Sequence, residues 1–238
     1  MKPPPDFPPF PAPARTGSAG LGAFDVRPVE ERDLPNLVEV HLRQFPHGFY
    51  AQLGPAFKTR YLRQYFRSPG AIGLVAEQRD GSGLVGYLIG TVDDDAHHRF
   101  MHRSAAPALA AAGGSALASR PALWSYFLRQ RAFWYARRFV TGVVRTRRPS
   151  GEPRQGELLY ICTTEGNRRR GIGAALLRSY VEEAQRAHAA GLHLVSERDN
   201  TAAHEFYAHR GWQVVSESVT RDGRPLVKMG LSLGGATQ

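Results

Sequence analysis

The order of strand-like and helix-like segments is the feature that most restricts the fold of this 238-residue chain. Runs of apolar or alternating residues predict strands at 24–29, 71–78, 83–92, 157–164, 192–197, 212–219 and 225–233. Apolar residues three and four apart predict helices at 30–45, 54–66, 174–191 and 199–211. The order β-α-α-β-β, an interruption, then β-α-β-α-β-β predicts an α/β fold with helices on a central sheet.

The interruption begins after Asp93-Asp94-Asp95 and differs in composition from both flanks. Between His97 and Ser150 there are ten arginines and no acid, so this stretch accounts for the whole net charge of +10. Its second part, 121–144, is rich in aromatic residues and arginine and predicts a helix that begins at a proline. We therefore expect a Pro-rich disordered tail at 1–22 and one domain at 23–238, with a basic helical insertion at about 97–150.

Composition excludes several classes of protein. No run approaches 18 apolar residues, so we expect no membrane span. The Pro-rich start lacks the apolar stretch of a signal peptide. The single Cys162 excludes an internal disulfide and a cysteine-based zinc site. We expect a cytoplasmic protein.

A glycine-containing basic loop, Arg168 to Ala174, lies between a predicted strand and a predicted helix. Glycines allow a sharp turn, and the amides that they expose can hold an anion at the positive end of the helix dipole. The two glycines are too few for a dinucleotide-binding loop, and no G-K-[ST] follows, which excludes a P-loop. The alternative is a simple helix-start turn with a solvated basic flank.

Two motifs together resemble those of the GCN5-related N-acetyltransferase (GNAT) superfamily. They are R-x-x-G-x-G at Arg168, Gly171 and Gly173, and D-N-x-x-A-x-x-F-Y-x-x-x-G-[FW] from Asp199 to Trp212. The resemblance implies a mixed, mostly antiparallel central sheet flanked by helices. It also implies an acyl-CoA-dependent N-acyltransferase that moves acetyl, or another acyl group, from acetyl-CoA to a primary amine of a small molecule. The amine would attack directly in a ternary complex.

The resemblance also assigns roles to residues. It places the pyrophosphate of acetyl-CoA on the loop and the pantetheine arm along the preceding strand. Asn200 would contact the pantetheine or cap its helix. Tyr207 would be the catalytic residue that protonates the leaving thiolate. The implied donor-binding residues are Ile161, Cys162, Thr163, Arg168, Arg169, Arg170, Gly171, Ile172, Gly173, Ala174 and Asn200. Two positions depart from the pattern, because many relatives have glycine at Arg169 and proline at Glu165. The general base stays open among Glu157, Glu165, Glu197 and the cluster 93–95.

Aromatic residues in the break between the first two helices are the candidate acceptor wall, since this region lines the acceptor side in the superfamily. They are Phe45, His47, Phe49 and Tyr50. The alternative is an elbow between helices with packed aromatics. The cluster from Asp93 to His98, with His102, could bind a metal if helical, but such groups in surface loops are usually only solvated, so we expect no metal site.

The role of the basic insertion stays open. It can pack as a flap on the domain, recruit an anionic acceptor, lie on an anionic membrane surface through Trp124, Phe133 and Trp134, or form an oligomer contact. A homodimer and a nucleic-acid partner are therefore both open. The rival functions are transfer to an aminoacyl-tRNA or protein amine, and a non-catalytic RNA- or membrane-surface-binding protein on the same scaffold.

Overall fold

The computed structural model describes residues 24–46, 52–81, 83–118, 153–220 and 223–234 of the protein. The strands are β1 (Phe24–Pro28), β2 (Ala71–Gln78), β3 (Leu84–Thr91), β4 (Gln155–Thr163), β5 (Gly191–Glu197), β6 (Gln213–Val219) and β7 (Pro225–Ser232). The α-helices are α1 (Leu34–Gln44), α2 (Pro55–Phe66), α3 (Asp94–Phe100), α4 (Ala106–Ala118), α5 (Ile172–Arg186) and α6 (Thr201–Ala208). A 3-10 turn (Glu31–Asp33) precedes α1, and a π-helical turn (Met101–Ala105) joins α3 to α4.

The strands form one seven-stranded sheet in the order β1-β2-β3-β4-β5-β7-β6. Every neighbouring pair is antiparallel except β4 and β5, which run parallel. The predicted mixed, mostly antiparallel sheet flanked by helices is therefore confirmed.

The parallel pair β4–β5 is joined over a very short length. Only Gln155–Glu157 of β4 pair with Gly191–His193 of β5, whereas β5 stays paired with β7 as far as Glu197. The strands separate beyond this seam and leave a wedge between 158–163 of β4 and 194–197 of β5, which we call the β4–β5 cleft. Gly156 lies in the seam, where a Cβ atom would come within 2.2 Å of the carbonyl oxygen of Thr91 on β3, so the close approach of β3 to β4 at this point requires glycine.

Helices cover both faces of the sheet and bury two apolar clusters. On one face, α1 and α2 pack Leu37 and Leu62 against Val75 and Ile89 of the sheet. On the other face, α5 buries its apolar stripe, including Leu176, against β2, β3 and β4. This three-layer arrangement places β4 in the middle of the molecule, with a helix layer above and below it.

The described start of the region predicted as a basic insertion, 97–118, is helical. Helix α3 begins before it at Asp94, the π-helical turn follows, and the Ala-rich α4 packs on α2 and buries Ala112. The predicted aromatic helix at 121–144, with Trp124, Phe133 and Trp134, lies outside the described residues. Within the described ranges, no helix has the length and apolar composition needed to cross a bilayer.

The predicted boundaries of α5 are wrong at both ends. The helix begins at Ile172 instead of residue 174 and ends at Arg186 instead of stopping at Gly191, which is the first residue of β5. The chain leaves α5 in a Schellman turn, because the amides of His188 and Ala189 donate to the carbonyls of Gln185 and Ala184 at 2.9 Å each. His188 occupies the left-handed position (φ 54°) that usually holds glycine.

Candidate active site

The loop after β4 contains backbone amides that donate no hydrogen bond to any described residue. Asn167 N donates to Thr164 O (3.1 Å) and closes a turn, and the first helical bond of α5 runs from Ala175 N to Gly171 O (2.9 Å). Between them, the amides of 168–174 donate no hydrogen bond to any other residue that the structure describes. Free amides at the positive end of a fifteen-residue helix form an anion-binding surface.

Within Arg168–Ala174, two residues have left-handed backbone angles. Gly171, the N-cap of α5, has φ 80°, and Arg169 has φ 61°. Arg169 is the position at which the motif departs from its usual glycine, so the structure gives the reason why glycine is preferred there. An L side chain in this region costs about 1–2 kcal/mol.

The second motif lies directly against the loop. The ring of Phe206 on α6 lies 3.6 Å from where a Cβ at Gly173 would be, an ordinary contact distance. Packing among the described residues therefore does not require glycine at position 173. The free amides, the exposed flank Arg168–Arg170 and this unexplained glycine fit a pyrophosphate group at the start of α5.

The predicted strand residues Ile161, Cys162 and Thr163 lie on β4 where it borders the β4–β5 cleft, and all three are half-buried. Burial raises the pKa of the Cys162 thiol to about 11, although Tyr87 and Arg168 act in the opposite direction. The sulfur is therefore protonated at neutral pH and is a poor nucleophile.

Asn200 and Tyr207 stand at the two ends of α6. The Asn200 side chain accepts a hydrogen bond from Ala203 N at 3.3 Å, so it caps the helix. Tyr207 is 6% exposed and packs on Phe206 and Trp212 with ring centroids 5.2 and 5.5 Å apart. Burial raises the pKa of the Tyr207 phenol, which is therefore a proton donor at neutral pH.

The carboxylates considered as general base differ in their surroundings. Glu165 is exposed in the loop, and Glu197 is bound to Arg224 at 2.7 Å. Asp93 caps α3 through Ala96 N at 2.9 Å. Glu157 is half-buried and is the last β4 residue of the seam, at the narrow end of the cleft. Of these four residues, Glu157 lies closest to the point where the strands separate.

Helix α3 brings two further groups to Glu157. The side chains of Asp94, His98 and Glu157 each place an oxygen or nitrogen within 4.8 Å of the other two. His98 Nε2 lies 3.0 Å from Asp94 Oδ1, one turn apart on α3. The cluster 93–98 is therefore partly helical, and it lies beside β4. The absence of a metal site stays a prediction.

One of the four predicted acceptor-wall residues can be placed. Phe45 packs against His41 and Tyr160 with ring centroids 5.1 and 5.3 Å apart. His47, Phe49 and Tyr50 lie outside the described residues. Since Tyr160 belongs to β4, the end of α1 reaches the strand that borders the cleft.

Sequence reasoning missed two buried polar residues on this face, Lys58 and His41. Lys58 is 0% and His41 2% exposed. Their helical spacing is the sequence signal of their burial. Lys58 precedes Leu62 by four residues and Tyr65 by seven. His41 follows Leu37 by four residues and Leu34 by seven. Both positions thus belong to the apolar stripe of an amphipathic helix.

The family model described as an acetyltransferase (GNAT) domain matches residues 123–233. A search of the curated proteins finds no match.

Solved structures share the fold at low sequence identity. The ribosomal-protein-S18-alanine N-acetyltransferase of Escherichia coli is 16% identical, with a TM-score of 0.51 over 90% of this chain and 97% of the other. NAA60 of Arabidopsis thaliana, solved with acetyl-CoA, is 13% identical (TM-score 0.55; 89% and 99%). A GCN5-related N-acetyltransferase of Kribbella flavida is 15% identical (TM-score 0.56; 89% and 98%). The family match over 123–233 and the shared fold agree with the two sequence motifs.

Proposed function

We propose that the protein is an N-acetyltransferase that moves the acetyl group of acetyl-CoA to a primary amine of a small molecule. The observation that carries the proposal is the β4–β5 cleft, which ends beside the free amides of 168–174. An open strand edge and an anion-binding helix start are together suited to a long ligand that has a phosphate group at one end.

The donor fits the residues in two parts. The amides of 168–174 and the guanidinium groups of Arg168–Arg170 hold its pyrophosphate. The β4 backbone at Ile161–Thr163 borders its pantetheine arm, and amides there polarise the carbonyl. When bound, acetyl-CoA supplies a thioester that a neutral amine can attack. Each donor that stabilises the developing oxyanion is worth about 2.7–4 kcal/mol in acyl-transfer enzymes.

Two side chains move protons in the proposed reaction. Glu157, at the narrow end of the cleft, accepts the proton of the attacking amine. Tyr207 donates its phenolic proton to the leaving sulfur. The C–N bond forms as the C–S bond breaks, so no bond to the protein is made, and the protonated Cys162 is not needed. Each proton transfer contributes roughly 10²–10⁴-fold.

Two classes of amine are candidates for the acceptor. The name of the Escherichia coli neighbour specifies an alanine of a ribosomal protein, so a protein amine is the alternative acceptor. A small molecule is favoured here by the aromatic wall of Phe45, His41 and Tyr160, all at least half-buried.

The test is a thermal shift with acetyl-CoA and with CoA on the wild type and on Gly173→Asp and Gly173→Asn. Position 173 is in the first turn of α5, where an acidic residue stabilises a helix by about 0.3–1 kcal/mol. Gly173→Asp is therefore expected to fold at least as well as Gly173→Asn, and yet to repel the pyrophosphate. At 100 times Kd, the wild type gains ~2.7 kcal/mol, roughly 5–10 °C.

The two variants have nearly the same shape and differ in charge, so the comparison isolates the electrostatic contribution. We expect Gly173→Asp to lose most of the shift and Gly173→Asn to keep more of it. No shift of the wild type at millimolar CoA would refute the proposal. A shift without release of CoA in the presence of amines would refute catalysis but not donor binding.

A further inference from the structure

A buried cation lies beneath β4, on the face opposite α5. Lys58, the fourth residue of α2, is 0% exposed, and its Nζ has no hydrogen-bond partner among the residues that the structure describes. The rings of Tyr160 and Tyr61 lie 5.0 and 5.2 Å from this nitrogen. Aromatic rings attract a cation but do not replace the hydrogen bonds that the ammonium group has in water.

No anion among the described residues compensates this charge. Burial lowers the pKa of Lys58 to about 8, and no carboxylate acts to raise it. Burial, together with the charge of Lys58, lowers the pKa of the neighbouring His41 to about 3, so that imidazole is neutral. His41 Nδ1 is also 2.8 Å from the Tyr87 hydroxyl. The described surroundings of Lys58 are thus aromatic and uncharged.

The position of Lys58 in its helix increases the positive potential. It belongs to the first turn of the twelve-residue α2, which has no acidic residue there. The helix dipole at this end favours an anion and disfavours an ammonium group. A lone positive charge buried at this place costs several kcal/mol unless an anion joins it.

Tyr160 connects this cation to the proposed reaction. Its ring faces Lys58, while the charge of Glu157 acts on its phenol and adds to the burial that raises the pKa of this group. Tyr160 is therefore the residue that contacts Lys58 and also senses the charge of Glu157. An acceptor that extended from Glu157 past Tyr160 would bring its far end to the ammonium group.

We propose, on the basis of the proposed function, that Lys58 binds an anionic group of the acceptor, which is an amine that also carries a carboxylate or a phosphate. The anion forms a charge-assisted hydrogen bond with Lys58 Nζ, and the aromatic rings around it exclude water. Lys58 is a specificity residue in this proposal and takes no part in the proton transfers.

The test compares amines that differ in one charged group. One pair is β-alanine and n-propylamine, and the other is glucosamine 6-phosphate and glucosamine. CoA release is measured for the wild type, Lys58→Met and the control Lys228→Met, which removes the other described lysine, half-buried on β7. Calorimetric titration with the same four amines measures binding without turnover.

The wild type is expected to prefer the anionic member of one pair by roughly 10–100-fold in kcat/KM, which corresponds to a hydrogen bond to a charged group. The preferred pair distinguishes carboxylate from phosphate. Lys58→Met should abolish the preference mainly by raising KM for the anionic amine, and Lys228→Met should keep it.

Several outcomes overturn the proposal while leaving the proposed function intact. They are CoA release without preference for the anion, or a preference that survives Lys58→Met. Lack of CoA release with every amine contradicts the proposed function. The calorimetric binding data then test whether Lys58 binds the anionic group. Tighter binding of an anionic amine to the wild type than to Lys58→Met supports it, and equal binding or no binding overturns it.

Discussion

Replacing Lys58 with methionine is expected to stabilise the protein in the absence of substrate. Methionine has a similar length and no charge, so the substitution removes the unpartnered ammonium group and keeps most of the packing. The pKa of Lys58 falls from 10.5 to about 8, and this difference corresponds to roughly 3 kcal/mol of free energy lost by the folded state at pH 7.

Part of this gain is offset. The contacts of Nζ with the Tyr61 and Tyr160 rings contribute about 1 kcal/mol, which methionine only partly replaces. We therefore expect a net stabilisation of about 2 kcal/mol, or a Tm higher by roughly 4–8 °C. Urea unfolding at pH 7 measures the free energy, and calorimetry measures Tm.

The pH dependence tests the electrostatic origin of this gain. The unfolded chain binds the Lys58 proton more tightly than the folded one, so the destabilisation is full below pH 8 and disappears as pH rises toward 10.5. The advantage of Lys58→Met should shrink over the same range. Lys228→Met should stay within about 0.5 kcal/mol of the wild type. An unchanged or less stable Lys58→Met protein at pH 7 would refute the reasoning.

Three further predictions concern backbone strain and pH. Arg169→Gly relieves a left-handed residue and should raise the free energy of unfolding by about 1 kcal/mol, measured by urea titration; a loss of stability would contradict the strain. His188→Gly should do the same at the end of α5, far from the amide loop, and a gain there without one at Arg169 would locate a compensating contact of the arginine. Burial lowers the pKa of His41 to about 3 and of His97 to about 4, so the unfolded chain takes up protons first, and stability should fall by roughly 2–4 kcal/mol from pH 7 to pH 5. A flat profile in urea unfolding over this range would contradict the neutral burial of both imidazoles.

The sequence predicts those helices and strands in which the apolar residues recur with a single helical or strand period. The strand at 71–78 is found as predicted, since a continuous apolar run satisfies a strand buried on both faces. The α5 boundary is wrong because a glycine near the end of a helical pattern is the usual stop, whereas here the left-handed position is taken by His188. The preference for glycine at a left-handed position is overridden where tertiary contacts hold another residue in that backbone conformation.

The candidate site is predicted unevenly for a related reason. The amide loop is visible in the sequence because glycines and a helix start are local features. Lys58 is not visible as a site residue, since a single lysine in a helix ordinarily lies at the surface. Its environment comes from β4 and α1, which are 102 residues after and 17 residues before it at Tyr160 and His41. Contacts between such distant segments follow from the topology and cannot be read from spacing alone.

The short seam between β4 and β5 makes the sheet two plates that are hinged at one end. One plate is β1 to β4 and the other is β5, β7 and β6, and the backbone pairing across the joint is confined to Arg154–Glu157 on one side and Ala190–His193 on the other. Spreading the plates breaks few hydrogen bonds, so the joint is mechanically the weakest line in the sheet. A molecule bound between the plates contacts both of them and so resists their separation. It then holds the two parts of the sheet together where strand pairing is missing.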